Sequence, residues 1–211
     1  MDNSITHSEI INTEQEYHIN ITHQDLVNLI SDVDYINNCV SNKERHETSI
    51  SYLITRELSQ SECIKLGNAI EKYITKCIEK FTCLINIRKP NKKGKREKDI
   101  IFIDRENKIL YYSEIKTNIN LDTEKCKSTY EKCIKITKEL EDGNYEIKWC
   151  LLAARYKHYD DIPNNYKKKY NSIKNNLFGI NQFFEMFGVN YVFTDENYKS
   201  LLNTIADSCF N

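Results

Sequence analysis

The stretch DIIFIDRENKILYYSEIK, residues 99–116, decides the fold that this sequence predicts. It contains two apolar runs, at residues 100–103 and 109–112, with the polar residues 105–108 between them. Apolar runs of this length, joined by a short polar connection, are typical of two antiparallel strands and a tight turn. The sequence therefore predicts a β-hairpin around which the rest of the chain is arranged.

The register of this hairpin follows from the position of its turn. A turn centred on residues 106–107 places Asp99 directly opposite Glu114. Side chains alternate between the two faces of a strand, so Lys116 shares a face with Glu114, while Ile115 turns into the core. Two carboxylates in this arrangement repel each other, so we expect a divalent cation with oxygen ligands, such as Mg²⁺, between them.

Length, composition and charge limit the classes of protein to which this chain can belong. With 211 residues, of which 40% are hydrophobic, the chain can bury a sizeable core, and we expect one elaborated domain. A net charge of −1 excludes a global basic field, so any contact with nucleic acid depends on local clusters. The N-terminus lacks the features of a signal peptide, and no apolar run approaches the ~20 residues that span a bilayer.

The eight cysteines have no spacing that is typical of a zinc site. Most lie among apolar neighbours, as Cys126 and Cys133 do in a helical pattern. We therefore expect reduced thiols in the core rather than a disulfide framework or a metal site, and a reducing, cytoplasmic location.

The chain divides at about residue 60 into a polar N-terminal helical region, 1–60, and a larger domain, 61–211. A helical pattern begins at Ser61, the expected N-cap, and Gly67 on its apolar stripe suggests close packing against the sheet. Glu71 lies one turn further, at the edge of the apolar face. It is either an ordinary boundary residue or a carboxylate directed at the metal. The remaining predicted elements are helices over 22–39, 43–58, 61–81, 122–140, 177–187 and 195–207, and strands over 83–87, 147–154 and 189–193.

Two segments carry local positive charge. The first, 88–98, is the most basic of the chain and runs directly into Asp99, and the second, 155–176, interleaves basic residues with tyrosines. Each is either a solvated connector or a surface that binds phosphates, because contacts with the nucleic-acid backbone are mainly electrostatic. The candidate phosphate-binding residues are Lys92, Lys93, Lys95, Arg96 and Lys98 in the first segment, and Arg155, Lys157, Lys167, Lys168 and Lys169 in the second.

The central motif resembles that of the PD-(D/E)XK nucleases and, among them, the type II restriction endonucleases. The shared pattern is an acidic helix residue, an aspartate that opens one strand of a hairpin, and E-x-K at the end of the next strand. Glu71, Asp99, Glu114 and Lys116 match it, although Lys98 stands where a proline is usual. The E-x-K pattern occurs three times in the chain, but only residues 114–116 have an aspartate on the opposite strand.

The resemblance implies an α/β fold with a restriction-endonuclease-like core, which is a mixed central β-sheet flanked by helices, preceded here by the N-terminal helical region. It also implies Mg²⁺-dependent hydrolysis of phosphodiester bonds. Asp99, Glu114, the main-chain carbonyl of Ile115 and Glu71 would hold the metal, and Lys116 would orient the attacking water and offset charge in the transition state.

For a type II restriction endonuclease, the resemblance further implies a homodimer that cuts both strands of double-stranded DNA at a short site. A cognate methyltransferase in the same restriction system would protect the host DNA. The region 1–60 would then serve dimerisation or DNA contact. Two alternatives remain open, namely a repair or recombination nuclease of the same superfamily and a non-catalytic DNA-binding protein with the same fold.

Overall fold

The computed structural model of this chain describes residues 20–41, 59–89 and 98–210. It has an α/β architecture in which helices flank a five-stranded mixed sheet. In chain order, the elements are α1 (His23–Asn28), a 3₁₀ turn (Leu29–Asp32), α2 (Asp34–Ser41), α3 (Gln60–Phe81), β1 (Ile85–Asn86), β2 (Ile100–Asp104), β3 (Ile109–Lys116), α4 (Thr123–Leu140), β4 (Glu146–Ala153), a 3₁₀ turn (Tyr159–Asp161), α5 (Asn164–Lys167), a 3₁₀ segment (Lys168–Asn176), β5 (Leu177–Phe178), α6 (Ile180–Met186) and α7 (Asp195–Phe210).

The sheet has the strand order β1-β2-β3-β4-β5. Its first three strands are antiparallel, and β4 and β5 continue it in parallel from β3. The predicted hairpin and its register are confirmed, because Ile100 pairs with Ser113 and Asp104 pairs with Ile109. The same register, continued by one residue, brings Asp99 opposite Glu114.

The two faces of the sheet are covered by different helices. On one face, side chains such as Phe102 and Ile115 share a core with α1, α2, α3, α6 and α7. On the other face, Ile101 and Tyr112 pack against α4, and Leu151 packs against α4 and the segment that precedes β5. The described part of the N-terminal region is joined to the first core, where the Tyr73 hydroxyl donates to the carbonyl of Leu26 at 2.8 Å.

The first residues of the helices agree with the predicted starts in some cases and differ in others. A capping box between Thr22 and Asp25 opens α1, but the helix predicted over 22–39 is interrupted at Val33, whose backbone is extended. The N-cap of α3 is Ser59 rather than Ser61, because a reciprocal capping box with Glu62 stabilises the earlier start. The N-cap of α4 is Asp122, whose side chain accepts the N–H of Lys125, in agreement with the predicted start of this helix.

Several predicted elements in the C-terminal half are wrong in type or length. The segment 155–176, for which no helix was predicted, is a series of short helical turns. The helix predicted over 177–187 begins as strand β5, because Leu177 and Phe178 pair with β4. The strand predicted over 189–193 is irregular backbone, and α7 runs on to Phe210. The helix predicted over 43–58 lies outside the described residues.

All seven cysteines whose side chains the structure describes are free thiols, and five of them are buried. For these residues the prediction of reduced cysteines rather than disulfides is confirmed. Among the described residues, no helix combines the length and the apolar character needed to cross a membrane.

Candidate active site

The candidate site is built on a pair of carboxylates where β2 begins and β3 ends. Asp99 and Glu114 are 8% and 1% exposed, respectively. The Asp99 carboxylate accepts a hydrogen bond from the main-chain N–H of Ile115 at 2.9 Å, which ties the start of β2 to the end of β3. By strand alternation both carboxylates lie on the face that carries Ile101 and Tyr112, which is the face covered by α4. The hairpin therefore brings two acidic groups together below the surface.

Two lysines form ion pairs with Glu114, one with each of its carboxylate oxygens. Lys116, two residues further along β3, donates to Glu114 Oε1 at 2.7 Å. Lys132 of α4 donates to Glu114 Oε2 at 2.6 Å. The side chains of Lys116 and Lys132 are 32% and 22% exposed, so their ammonium groups lie between the buried carboxylates and solvent. The Tyr112 hydroxyl is a weaker neighbour, at 3.4 Å from Oε2.

Burial and neighbouring charges perturb the protonation of Asp99 and of Lys116. Burial, and then the charge of Glu114, raise the pKa of Asp99 above its ordinary value, although the N–H of Ile115, Lys132 and Lys116 act in the opposite direction. Burial acts to lower the pKa of Lys116, but the charge and hydrogen bond of Glu114 and the charge of Asp99 together raise it. Lys116 is therefore an ammonium at neutral pH, which suits electrostatic stabilisation better than general-base catalysis.

The donor set of this site is compatible with Mg²⁺. Among the described residues, no three His, Cys, Asp or Glu side chains come together as a possible metal site. Magnesium, however, is commonly held by one or two carboxylates and keeps several of its waters. In a β-strand, the N–H and the C=O of one residue point toward the same neighbouring strand. The N–H of Ile115 points toward Asp99, to which it donates a hydrogen bond, so the carbonyl of Ile115 faces the β2 side as well. Two carboxylates and this carbonyl provide the hard oxygen ligands that the ion requires.

Glu71 occupies a different environment from the carboxylate pair. It lies on α3, which covers the opposite face of the sheet, and its carboxylate is in an ion pair with Arg88. Both side chains of this ion pair are largely buried. The structure therefore brings together Asp99, Glu114 and Lys116, whereas it places Glu71 with Arg88, and a role for Glu71 in holding a metal stays a prediction.

The basic residues predicted to bind phosphates differ in their surroundings. Lys157 is 2.6 Å from Asp195, Lys167 lies 4.7 Å above the ring of Tyr159, and Lys169 donates to the Leu121 carbonyl at 2.7 Å. These three side chains are held by contacts within the chain. In contrast, Arg155 and Lys168 are exposed, Lys98 is partly buried, and Lys92, Lys93, Lys95 and Arg96 lie outside the described residues.

The tyrosines of the segment 155–176 face the protein interior. Tyr170 is buried and donates to the Ile119 carbonyl at 3.2 Å, while Tyr156, Tyr159 and Tyr166 pack against the same core cluster. These rings therefore contribute to the packing of the segment, and a contact of the segment with phosphates stays a prediction.

Lys132 is the site residue that the sequence interpretation missed. It lies on α4 between Thr129 and Ile136, which are both buried, so helical spacing places it on the stripe that faces the sheet. A lysine on the buried stripe of the helix that directly follows E-x-K is the signal that could have identified it.

Comparisons with protein-family models, with curated proteins and with solved structures found no match. The interpretation of the site therefore depends on its geometry and on the motif.

Proposed function

We propose that this protein is a Mg²⁺-dependent endonuclease of the PD-(D/E)XK type that cleaves both strands of double-stranded DNA at a short specific site. The observation that carries the proposal is the buried pair of Asp99 and Glu114 on neighbouring strands, with Lys116 hydrogen-bonded to Glu114. Burying two acidic groups side by side costs free energy, and such groups are typical of sites that act on a ligand.

The order of elements around the pair supports a restriction-endonuclease-like core. Helix α3 precedes a three-stranded antiparallel unit, Asp99 immediately precedes β2, and residues 114–116 end β3. Helix α4 then crosses over to β4, which is parallel to β3. The arrangement of a strand-borne aspartate, E-x-K and a following helix is the one on which the resemblance to these nucleases depends.

Each residue of the site has a chemical task in this proposal. Asp99, Glu114 and the Ile115 carbonyl would hold Mg²⁺, which supplies Lewis-acid activation of water and of the scissile phosphate. Lys116, held as an ammonium by Glu114, offsets the negative charge that develops on the phosphate oxygens. Its partial exposure lets it contact both the buried carboxylate and a phosphate at the surface.

Double-stranded DNA is proposed as the substrate because basic residues adjoin this site. The segment 88–98 leads directly into Asp99, and the exposed Arg155 follows Ala154, whose N–H donates to the Lys116 carbonyl. Cleavage of both strands would require two sites related by symmetry, hence a homodimer, and host DNA would need protection by a cognate methyltransferase.

The activity can be tested by incubating the protein with long duplex DNA and Mg²⁺, with an EDTA sample as control. Discrete fragments would support the proposal. Nicking that depends on DNA structure would instead indicate a repair or recombination nuclease. Retained DNA binding without cleavage would indicate a non-catalytic binding protein.

The substitution Lys116→Ala tests the chemical assignment. Removal of a charge that stabilises the transition state should lower the cleavage rate by about 10²–10³-fold while DNA binding persists. Lys135→Ala is the matched control, because Lys135 is an exposed lysine of α4. Undiminished cleavage by Lys116→Ala, or loss of folding in Lys116→Ala but not in Lys135→Ala, would indicate that Lys116 is only part of a structural ion-pair cluster.

A further inference from the structure

Lys132 competes for the same carboxylate that the proposed metal needs. Its ammonium is 2.6 Å from Glu114 Oε2, while Lys116 takes Oε1 at 2.7 Å. Both oxygens of Glu114 are therefore engaged by positive charges. With Asp99 ionised, two carboxylates face two ammonium groups, and the cluster has no net charge to attract a further cation.

The two lysines reach Glu114 from different elements. Lys116 lies on β3 itself, where its carbonyl accepts the N–H of Ala154 at 2.9 Å, so its main chain is held two residues from Glu114, and its side chain is 32% exposed. Lys132 reaches Glu114 from α4 through a flexible four-carbon stem, and its side chain is 22% exposed. Its ammonium can move toward solvent by side-chain rotation alone.

The placement of Lys132 is specific on its helix. Helix α4 contains five lysines, and the other four, Lys125, Lys127, Lys135 and Lys138, are exposed. Only Lys132 lies on the stripe that faces the sheet, beside the buried Cys133. Its contact with Glu114 is therefore a built feature of the site rather than one of many surface ion pairs.

We propose that Lys132 is a displaceable counter-ion of Glu114 that keeps the affinity for Mg²⁺ low until a DNA phosphate binds. This inference rests on the proposed function. In the free protein, Lys132 neutralises Glu114 and repels a divalent cation. A phosphate at the surface attracts the Lys132 ammonium away from Glu114 Oε2 and leaves this oxygen available. Binding of DNA and binding of the divalent cation are thereby mutually reinforcing.

The test is Mg²⁺ binding to the full chain without DNA, measured by calorimetry. An opposite charge beside a carboxylate shifts its proton affinity by about 10–1000-fold, and the same Coulomb interaction opposes a metal ion. Lys132→Met should therefore bind Mg²⁺ at least about tenfold more tightly than the natural protein. Lys135→Met should be unchanged, and Lys132→Arg should restore weak binding because it keeps the charge. If Lys132→Met does not fold, Lys132→Gln replaces it with the same expectation.

A second measurement tests the coupling. Anisotropy of labelled duplex DNA, titrated with protein in Ca²⁺ or in EDTA, should show a smaller effect of the cation for Lys132→Met than for Lys135→Met. If Lys132→Met binds Mg²⁺ no more tightly than the natural protein, and the natural protein cleaves DNA, the role of Lys132 is overturned while the proposed function stays intact. Absence of both Mg²⁺ binding and DNA cleavage in every form would overturn the role of Lys132 and the proposed function together.

Discussion

Replacing Asp99 by asparagine should stabilise the metal-free protein at neutral pH. The Asp99 carboxyl is 8% exposed and lies beside Glu114, so its ionisation on folding is opposed by burial and by repulsion. Asparagine has nearly the same shape and still offers an oxygen to the N–H of Ile115. The substitution therefore removes the charge while it preserves the hydrogen bond that joins β2 to β3.

The size and the pH dependence of this stabilisation follow from the protonation of Asp99. Burial has the largest effect on Asp99, followed by the negative charge of Glu114, and together they raise the pKa of Asp99 from 3.8 to about 7. Between these two values the folded state binds more protons than the unfolded state, so stability falls as pH rises. Each unit of pKa corresponds to about 1.4 kcal/mol, and we expect a cost on the order of 2–4 kcal/mol once Asp99 is fully ionised. Asparagine does not ionise and avoids this cost.

Thermal unfolding of both proteins in EDTA, from pH 4 to pH 8, measures the effect. We expect Asp99→Asn to melt at a higher temperature than the natural protein. This difference in melting temperature should grow as pH rises from 4 and level off above neutral pH. For a chain of this size, each kcal/mol corresponds to about 2–4 °C. A difference that does not change with pH, or a variant that is less stable at pH 8, would refute the electrostatic account of the pair.

Further predictions concern the packing that supports the site, and urea unfolding measures each of them. Gly179→Ala should destabilise the fold by about 1–3 kcal/mol, because a Cβ there would lie 2.6 Å from the backbone of Lys157. Gly67→Ala, in the interior of α3, should instead stabilise it by about 0.5–1 kcal/mol, since its Cβ meets only ordinary contacts. Asn181→Leu should cost about 2–4 kcal/mol by leaving the buried main-chain N–H and C=O of Phe193 without the side-chain amide that pairs them. Equal effects of the two glycine substitutions, or a neutral Asn181→Leu, would contradict this description of the packing.

The central hairpin could be predicted because local sequence determines it almost completely. Its polar turn is short, so the turn position fixes which residues pair, and alternation then fixes which side chains share a face. Asp99, Glu114 and Lys116 were found by this reasoning alone. The burial of the two carboxylates was not predicted, because it depends on α4, which covers the same face after a crossover of the chain.

Elements that depend on distant parts of the chain were predicted less well. The apolar run 189–193 has the composition of a strand, but its end is held by the side chain of Asn181, which replaces a neighbouring strand as hydrogen-bond partner of Phe193. Lys132 was missed for a related reason. Helical spacing shows that it faces the sheet, whereas only the packing of α4 shows that it meets Glu114.

Cleavage of long duplex DNA in Mg²⁺ by the natural protein and by Glu114→Gln, in parallel, tests the central claim most directly. The variant keeps the size of the side chain and removes the charge that would hold the metal. We expect discrete fragments from the natural protein, no cleavage in EDTA, and no cleavage by Glu114→Gln, although the variant still binds DNA. Equal cleavage by the two proteins would contradict the assignment of Glu114 and Asp99 as the metal-binding pair.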